Sequence, residues 1–390
     1  MKILITTDLY TVTTNGVVTS VNNLREELCR RGHEVKILTL SSDRHSHREG
    51  DVTYIASMPL GVYPDVRMPL CYHHKLIREL IKWRPDVIHS QCEFFSFGFA
   101  KQIAKRTHAP IVHTYHTLYE QYVTYVIPFE RLGQRMMRAF VRARLRRAAC
   151  VIAPTAKVER ALKAYRLEPP IRVIPSGISL EQHRGVMPAE ERRKKRGELG
   201  LSEQHVVLLN LGRLGTEKNL DELLQLFAKA IERRPELRLL IVGDGPAKKH
   251  LEKLSVELGV DQYVIFTGMV EPSAVQTYYR LGDFFVNAST SETQGLTYIE
   301  ATANGLPLLC RRDPCLEEVL ISGKNGFDYS DSAEFLAHLE TMLADPSWRV
   351  LAGQNSRRMA ERFDKRVFGE AIETTYLEVV GQTRMPALQA

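Results

Sequence analysis

The chain has 390 residues, is 44% hydrophobic and 25% charged, and carries a formal net charge of +7 with a pI near 9.0. That length holds two domains with cores of their own, and the composition is that of an ordinary soluble globular protein. The positive balance favours an anionic partner and leaves nucleic acid, anionic lipid and phosphorylated substrates open. The six cysteines (Cys29, Cys71, Cys92, Cys150, Cys310, Cys315) are scattered and form no C-x-x-C pair. Neither a disulfide framework nor a zinc site is therefore expected, and free thiols in a reducing cytoplasm are. No stretch approaches the roughly 18 apolar residues of a spanning helix. The opening run, interrupted at Asp8, is too short for a signal segment, so a cytosolic chain with surface attachment left open is the expectation.

In chain order, Lys2 to Thr7 and Val35 to Leu40 read as strands, with Val18 to Arg31 at helical spacing between them and Gly32 as its stop. Strand, helix, strand at this spacing means a βαβ unit and a parallel sheet. Further strands are expected at Asp86–His89, Pro110–His113, Cys150–Ala153 and Ile171–Ile174. A second series follows the charged stretch Ala189 to Gly200: Val206–Leu211, Leu237–Val242, Tyr263–Phe266, Asp283–Val286 and Leu306–Leu309. A last helix, Val367 to Val380, precedes a polar tail, Gly381 to Ala390, expected to fray. The fold class is α/β: two doubly wound, Rossmann-like domains facing across a cleft, with ligands at the carboxyl ends of the strands. The boundaries read as 1–178, 179–364 and a terminal piece 365–390 packing back on the first domain.

Ser291 to Ala301 is the most informative stretch. Glu292 and Glu300 stand with seven residues between them, after a strand and its exit loop Ser289–Ser291. Leu296, Ile299 and Ala303 share one face of a helix starting near Gly295, which leaves the N–H groups of Gly295, Leu296 and Thr297 ready for an anion. Free amides for a phosphate with a carboxylate on each side suit a sugar nucleotide. On spacing alone, a capped surface helix with two solvated acids fits equally well.

Other strand exits add candidates. Thr11 to Gly16 precedes the first helix, and Gly16 would let a ligand approach the backbone; it is not G-x-G-x-x-G, so a dinucleotide cofactor is not expected. In Gly212 to Asn219, Arg213 and Lys218 could clamp a diphosphate, while Gly243-Asp244-Gly245 reads as a structural turn. His116, after the strand ending at His113, could contact a reacting hydroxyl or carry its proton, or be a satisfied structural residue. Arg131 to Arg147 holds seven arginines and no acid, with Leu132, Met136, Ala139, Phe140 and Ala143 on one face and Arg131, Arg135, Arg138, Arg142 and Arg146 beside it. Such a helix suits an anionic membrane surface. Nucleic acid is not expected, because no base-reading module accompanies the charge. Arg192 to Arg196 reads as an exposed linker helix.

Together these pieces resemble the retaining GT-B glycosyltransferases of glycosyltransferase family 4, over nearly the whole chain. The most specific match is Glu292 to Glu300 followed by Ala301, then GRLGTEKN at 212–219, IPSGI at 174–178 and NGV at 15–17. The wording ETQGLTYIEA, with YHTLYEQY at 115–122 and the basic helix after it, is similar to bacterial glucosyltransferases that act on diacylglycerol. The resemblance implies that Glu292 holds the donor sugar and Glu300 the ribose, with Arg213, Lys218 and the amides of Gly295, Leu296 and Thr297 on the diphosphate. It places Gly16 beside the donor phosphate, His116 along the reacting sugar, and Met269 and Val270 near the base. It implies a peripheral hexosyltransferase at the inner face of the cell membrane, moving glucose from UDP-glucose to diacylglycerol without a metal or other cofactor. No Asp-x-Asp pair stands at a strand end. Two departures stand out: Ser179 where the family often has an acid, and Thr293-Gln294-Gly295 where Gly-Phe-Gly is common. The alternatives are a family 4 mannosyl- or glucosyltransferase with another acceptor, a nucleotide-sugar epimerase, and a non-enzymatic lipid-binding protein.

Overall fold

The computed structural model describes residues 1–10, 15–60, 66–119 and 130–384. The chain divides into two compact units, Met1–Gly177 with the segment from Lys365 onward, and Ile178–Asp364.

Apart from one antiparallel pair, Ser57–Pro59 with Arg67–Pro69, the described strands of the first unit form one sheet in the order Ile171–Val173, Cys150–Ala153, Ile111–Thr114, Val87–Ser90, Lys2–Thr6, Glu34–Leu40, Val52–Ile55, His47–Glu49. Only the last is antiparallel. The strands read as continuous apolar runs because helices cover both faces of a parallel sheet. The pleat sends Leu4 to a core with Leu38, Ile88, Phe97 and Val141, and Ile3 and Ile5 to one with Val21, Val112 and Ile152. The second core is completed by Phe368, Ile372 and Tyr376 of the terminal helix Lys365–Arg384. His89, fully buried, is hydrogen-bonded to the Tyr376 hydroxyl at 2.6 Å and to Thr114 Oγ1 at 2.7 Å. The expected fraying from Gly381 is corrected as far as Arg384, where the helix ends; residues 385–390 lie outside the described residues.

The second unit carries a parallel sheet in the order Val264–Phe266, Leu237–Val242, Val206–Leu211, Phe284–Asn287, Leu308–Arg311, Gly326–Tyr329. The last strand has no counterpart in the sequence expectations. It is an edge strand of four residues with two only half-buried, too short and mixed to read as an apolar run.

The helix Ala189–Glu198 is not the exposed linker that its basic run suggested. Arg192 and Arg196 are four residues apart and share a face. Arg196 is 1% exposed and donates to the carbonyls of Leu281 at 3.2 Å and Ser202 at 3.0 Å and to Asp283 at 3.4 Å. Arg192 donates to the Arg280 carbonyl at 3.1 Å and to Asp283 at 3.2 Å. Removing one partner of such an arrangement leaves the other buried and uncompensated. Arg196→Ala should therefore lower unfolding free energy by about 3 kcal/mol, read from urea denaturation, whereas Arg193→Ala on the exposed side should change it little.

Candidate functional site

The second unit reverses its strand order between Val206–Leu211 and Phe284–Asn287, and the carboxyl ends of that pair are where a doubly wound sheet offers a crevice. Asn210 Nδ2 ties the two strands by donating to the Val286 carbonyl at 2.8 Å. Their exit loops then stay together: Ser291 Oγ donates to the Glu217 carbonyl at 2.9 Å, and Asn219 Nδ2 to the Ala288 carbonyl at 3.3 Å. The outcome is a contact between Lys218 Nζ and Glu292 Oε1 at 2.6 Å, both side chains being largely buried. Arg213, more exposed, pairs with Glu217, the residue before Lys218.

The helix after Glu292 spans Leu296–Ala303 and opens at Gly295 with φ of +72°. A Cβ there would lie 2.4 Å from the Tyr298 ring and 3.4 Å from Glu292 Cγ, so glycine is required for conformation and for space. Tyr298 N–H donates to the Gly295 carbonyl at 3.0 Å, and the N–H groups of Gly295, Leu296 and Thr297 precede that bond. They form the positive end of the helix beside the Lys218–Glu292 pair. Glu300, two turns along, accepts a hydrogen bond from the Tyr279 hydroxyl at 2.7 Å. Burial among the surrounding atoms pushes its carboxyl up to about 7, against the opposing pull of that bond.

A third loop completes the group. The Gly243 N–H donates to the Gly268 carbonyl at 3.1 Å, and Leu214 N–H to the Asp244 carbonyl at 2.9 Å. A Cβ on Gly243 would be 2.0 Å from the Gly212 carbonyl oxygen, so the Gly243-Asp244-Gly245 turn serves close backbone approach. Met269 and Val270 follow Gly268 and diverge: Met269 is 69% exposed, while Val270 packs against the core. Sequence reasoning gave no role to Glu217, which lies within the 212–219 element and pairs with Arg213, or to Tyr279, which donates to Glu300 and carries no motif of its own.

The first unit places Gly16 as the exposed first residue of the helix Gly16–Arg30, where Asn15 Oδ1 accepts from Val17 N at 2.8 Å and Val18 N at 3.0 Å. Thr11 to Thr14 of that loop, and residues 120–122 of the aromatic stretch, lie outside the described residues. His116 Nε2 is 2.7 Å from Gln91 Oε1, on the loop of the neighbouring strand. Burial, with the nearby His113 adding to it, drives His116 down to about 3. At neutral pH the ring is uncharged, which favours a hydrogen-bonding role over proton donation. Beside it, the buried Glu93 accepts from the Tyr119 hydroxyl at 2.8 Å and lies 2.9 Å from His113 Nε2.

The basic helix spans Glu130–Leu145. It packs inward through Met137, Phe140, Val141 and Leu145, while Arg144 donates to the Glu93 carbonyl at 2.9 Å. The expected apolar face is corrected in part: Phe140 turns inward, and Leu132 and Met136, 53% and 56% exposed, lie with Ala139 and Ala143 on the open side among Arg131, Arg135, Arg138 and Arg142. Arg146 follows the helix end and is exposed as well. A helix of period 3.6 with apolar residues on two stripes can bury either, and the larger Phe140, Val141 and Leu145 fill the core. Among the described residues no helix is long and apolar enough to cross a membrane, and no cluster of three or more His, Cys, Asp or Glu is placed to hold a metal.

Comparison with known proteins places both units. Residues 14–182 match the family model Glycosyltransferase Family 4, and residues 191–361 match Glycosyl transferases group 1. The alpha-monoglucosyldiacylglycerol synthase of Streptococcus pneumoniae is 34% identical over 94% of this chain and 84% of its own length. That of Acholeplasma laidlawii is 29% identical over 97% of this chain and 98% of its own length. Among solved structures, Anabaena HepE in complex with UDP-glucose superposes with a TM-score of 0.76 at 19% identity, covering 97% of this chain and all of that one. Sucrose-phosphate synthase of Thermosynechococcus elongatus gives 0.77 at 22% identity, covering 98% and 99%. At those identities the shared feature is the GT-B fold of two Rossmann-like halves.

Gly295→Ala should destabilise the second unit by roughly 2 kcal/mol or more, since it adds positive-φ strain to a clash with Tyr298. Thermal unfolding measures it; a variant as stable as the parent would show that the helix start rearranges freely.

Proposed function

This chain belongs to glycosyltransferase family 4 and is a hexosyltransferase, and we propose that it moves glucose from UDP-glucose to the 3-hydroxyl of 1,2-diacylglycerol with retention of the α configuration. The carrying observation for the donor is the Lys218–Glu292 contact beside the start of the helix that bears Glu300. Glu292 accepts hydroxyls of the glucose, Glu300 those of the ribose, and Lys218 and Arg213 meet the diphosphate with the amides of Gly295, Leu296 and Thr297. Met269 and Val270 border the base. For the acceptor, support comes from the two synthases named above and from the exposed Leu132 and Met136 set among arginines. That combination fits a helix lying on anionic lipid, apolar side chains inserted and guanidinium groups at the phosphates. The protein would work at the inner face of the cell membrane.

In the reaction the bond between the anomeric carbon and the β-phosphate oxygen breaks, the electron pair leaves with UDP, and a bond forms to the 3-oxygen of diacylglycerol. Retention puts the incoming hydroxyl on the face that UDP vacates, so a departing phosphate oxygen is placed to take the hydroxyl proton. Charge on that phosphate grows as the bond breaks. A preorganised Arg, a Lys and a helix N-terminus stabilise it more in the transition state than in the ground state, and on this reading no metal is required. His116, uncharged, is suited to a hydrogen bond with a hydroxyl and not to giving up a proton as an imidazolium.

The deciding assay is UDP release from UDP-glucose, with and without vesicles of diacylglycerol and anionic lipid. Release that depends on the lipid and persists in EDTA, with a glucolipid product, is expected. Neutralising Arg131, Arg135, Arg138 and Arg142 together should abolish vesicle co-sedimentation. Lipid-independent release, or turnover only with another sugar nucleotide, removes the acceptor or donor assignment. UDP affinity should also vary with pH. Ribose hydroxyls donate to the carboxylate form of Glu300, so below about 7 binding must first expel a proton. Affinity then falls by up to about tenfold per pH unit, and calorimetry at pH 6 and 8 that finds no difference would sink the ribose assignment.

A further inference from the structure

Glu300 does not stand alone on its helix. The Tyr279 hydroxyl reaches Glu300 Oε2 at 2.7 Å from the helix Val275–Leu281, and the next acceptor within its reach, the Thr297 carbonyl, is at 3.4 Å. Tyr279 is completely buried, and burial holds its phenol well above the ordinary range, so it stays a donor at any working pH. Its ring is fixed against Phe285 and His183. The helix that carries it follows the loop of Met269 and Val270 by a single short turn, Pro272–Ala274.

We propose that Tyr279 is the positioning residue for nucleotide recognition: it occupies one carboxylate oxygen of Glu300, fixes the plane of the carboxylate, and leaves the other oxygen aimed for hydroxyl donors. This rests on the ribose reading of Glu300 given above. The physical reason is that an unrestrained glutamate spends side-chain entropy each time it binds, whereas one held by a buried donor has lost it already. A donor hydrogen bond also favours the charged form against the desolvation that opposes it.

Other polar groups approach Glu300 from three elements. The backbone carbonyl of Glu300 accepts from Asn304 Nδ2 at 2.9 Å, and the same amide lies 2.8 Å from Nδ1 of His183 on the helix Leu180–His183. Burial drives His183 down to about 4, so it is neutral when Glu300 titrates. Gln276 Oε1 lies 3.4 Å from Asn304 Nδ2, and Arg357, on the helix Pro346–Ala360, donates to the Asn304 carbonyl at 3.1 Å. These contacts meet backbone or amide atoms, and the carboxylate itself is left to Tyr279.

The test is Tyr279→Phe, which keeps the buried ring and deletes the hydroxyl. UDP affinity measured by calorimetry from pH 5.5 to 8.5 should weaken about tenfold at neutral pH, with its midpoint moved upward by about one unit, the size expected for losing one hydrogen bond to a charged group. Tyr298→Phe, which removes a buried hydroxyl without a partner, should leave the midpoint in place. In a Glu300→Gln background, where the carboxyl and its midpoint are gone, Tyr279→Phe should weaken UDP binding no further, a coupling that a loss of fold would not produce. If Glu300→Gln weakens UDP binding while Tyr279→Phe changes neither affinity nor midpoint, the positioning role is overturned. If Glu300→Gln binds UDP as well as the parent does, the ribose reading itself is what fails.

Discussion

The second unit is governed by one electrostatic constraint. Two adjacent parallel strands, Val206–Leu211 and Phe284–Asn287, end side by side and must bring a lysine and a glutamate out of the sheet into a half-buried place. Neither charge is tolerated there unpaired. Lys218 and Glu292 meet at 2.6 Å, and the surrounding backbone is built to let them: Asn219 adopts φ of +54°, Gly295 +72°, and Gly212 and Gly243 come nearly into carbonyl contact. On the function proposed above, a diphosphate sugar would offer both partners an exchange, anionic oxygens for the lysine and hydroxyl donors for the glutamate. The ion pair, with the ties from Ser291 and Asn219, holds the two exit loops together.

The first unit meets a related problem with buried histidines. Its buried strand ends hold His89, His113 and His116 close together, and burial keeps His89 and His116 uncharged. Gln91, Glu93, Thr114 and Tyr376 supply their partners, and Tyr119 donates to Glu93 in turn. The helix Phe95–Thr107 has no side-chain cap from its own preceding residue. Asp8, from the end of another strand, accepts from Ser96 N at 2.5 Å and Phe95 N at 3.3 Å instead. At these buried strand ends the polar partners come from distant parts of the chain.

That difference explains what the sequence made legible. Strands such as Val206–Leu211 and Leu237–Val242 are apolar at all but one position each, Asn210 and Arg238, because both faces are covered, and they can be read directly. The Glu292–Glu300 element is visible because its spacing is local to one loop and one helix. Tyr279 stands 21 positions before its carboxylate partner, Asp8 87 before the helix it caps, and Arg196 87 before Asp283. Nothing local marks any of them. The basic helix was half legible: periodicity showed that it is amphipathic, but two stripes competed for the core and only packing chose between them.

The composition of the first unit also has a consequence for how the chain is made. Its core includes Phe368, Ile372 and Tyr376, which are synthesised after the entire second unit. The second unit is continuous in sequence and has every residue of its own cores once Asp364 has emerged. Synthesis from the N-terminus thus reverses the usual order: the first unit can bury its apolar surface only after the second, and His89 waits for its tyrosine until the whole second unit has been made.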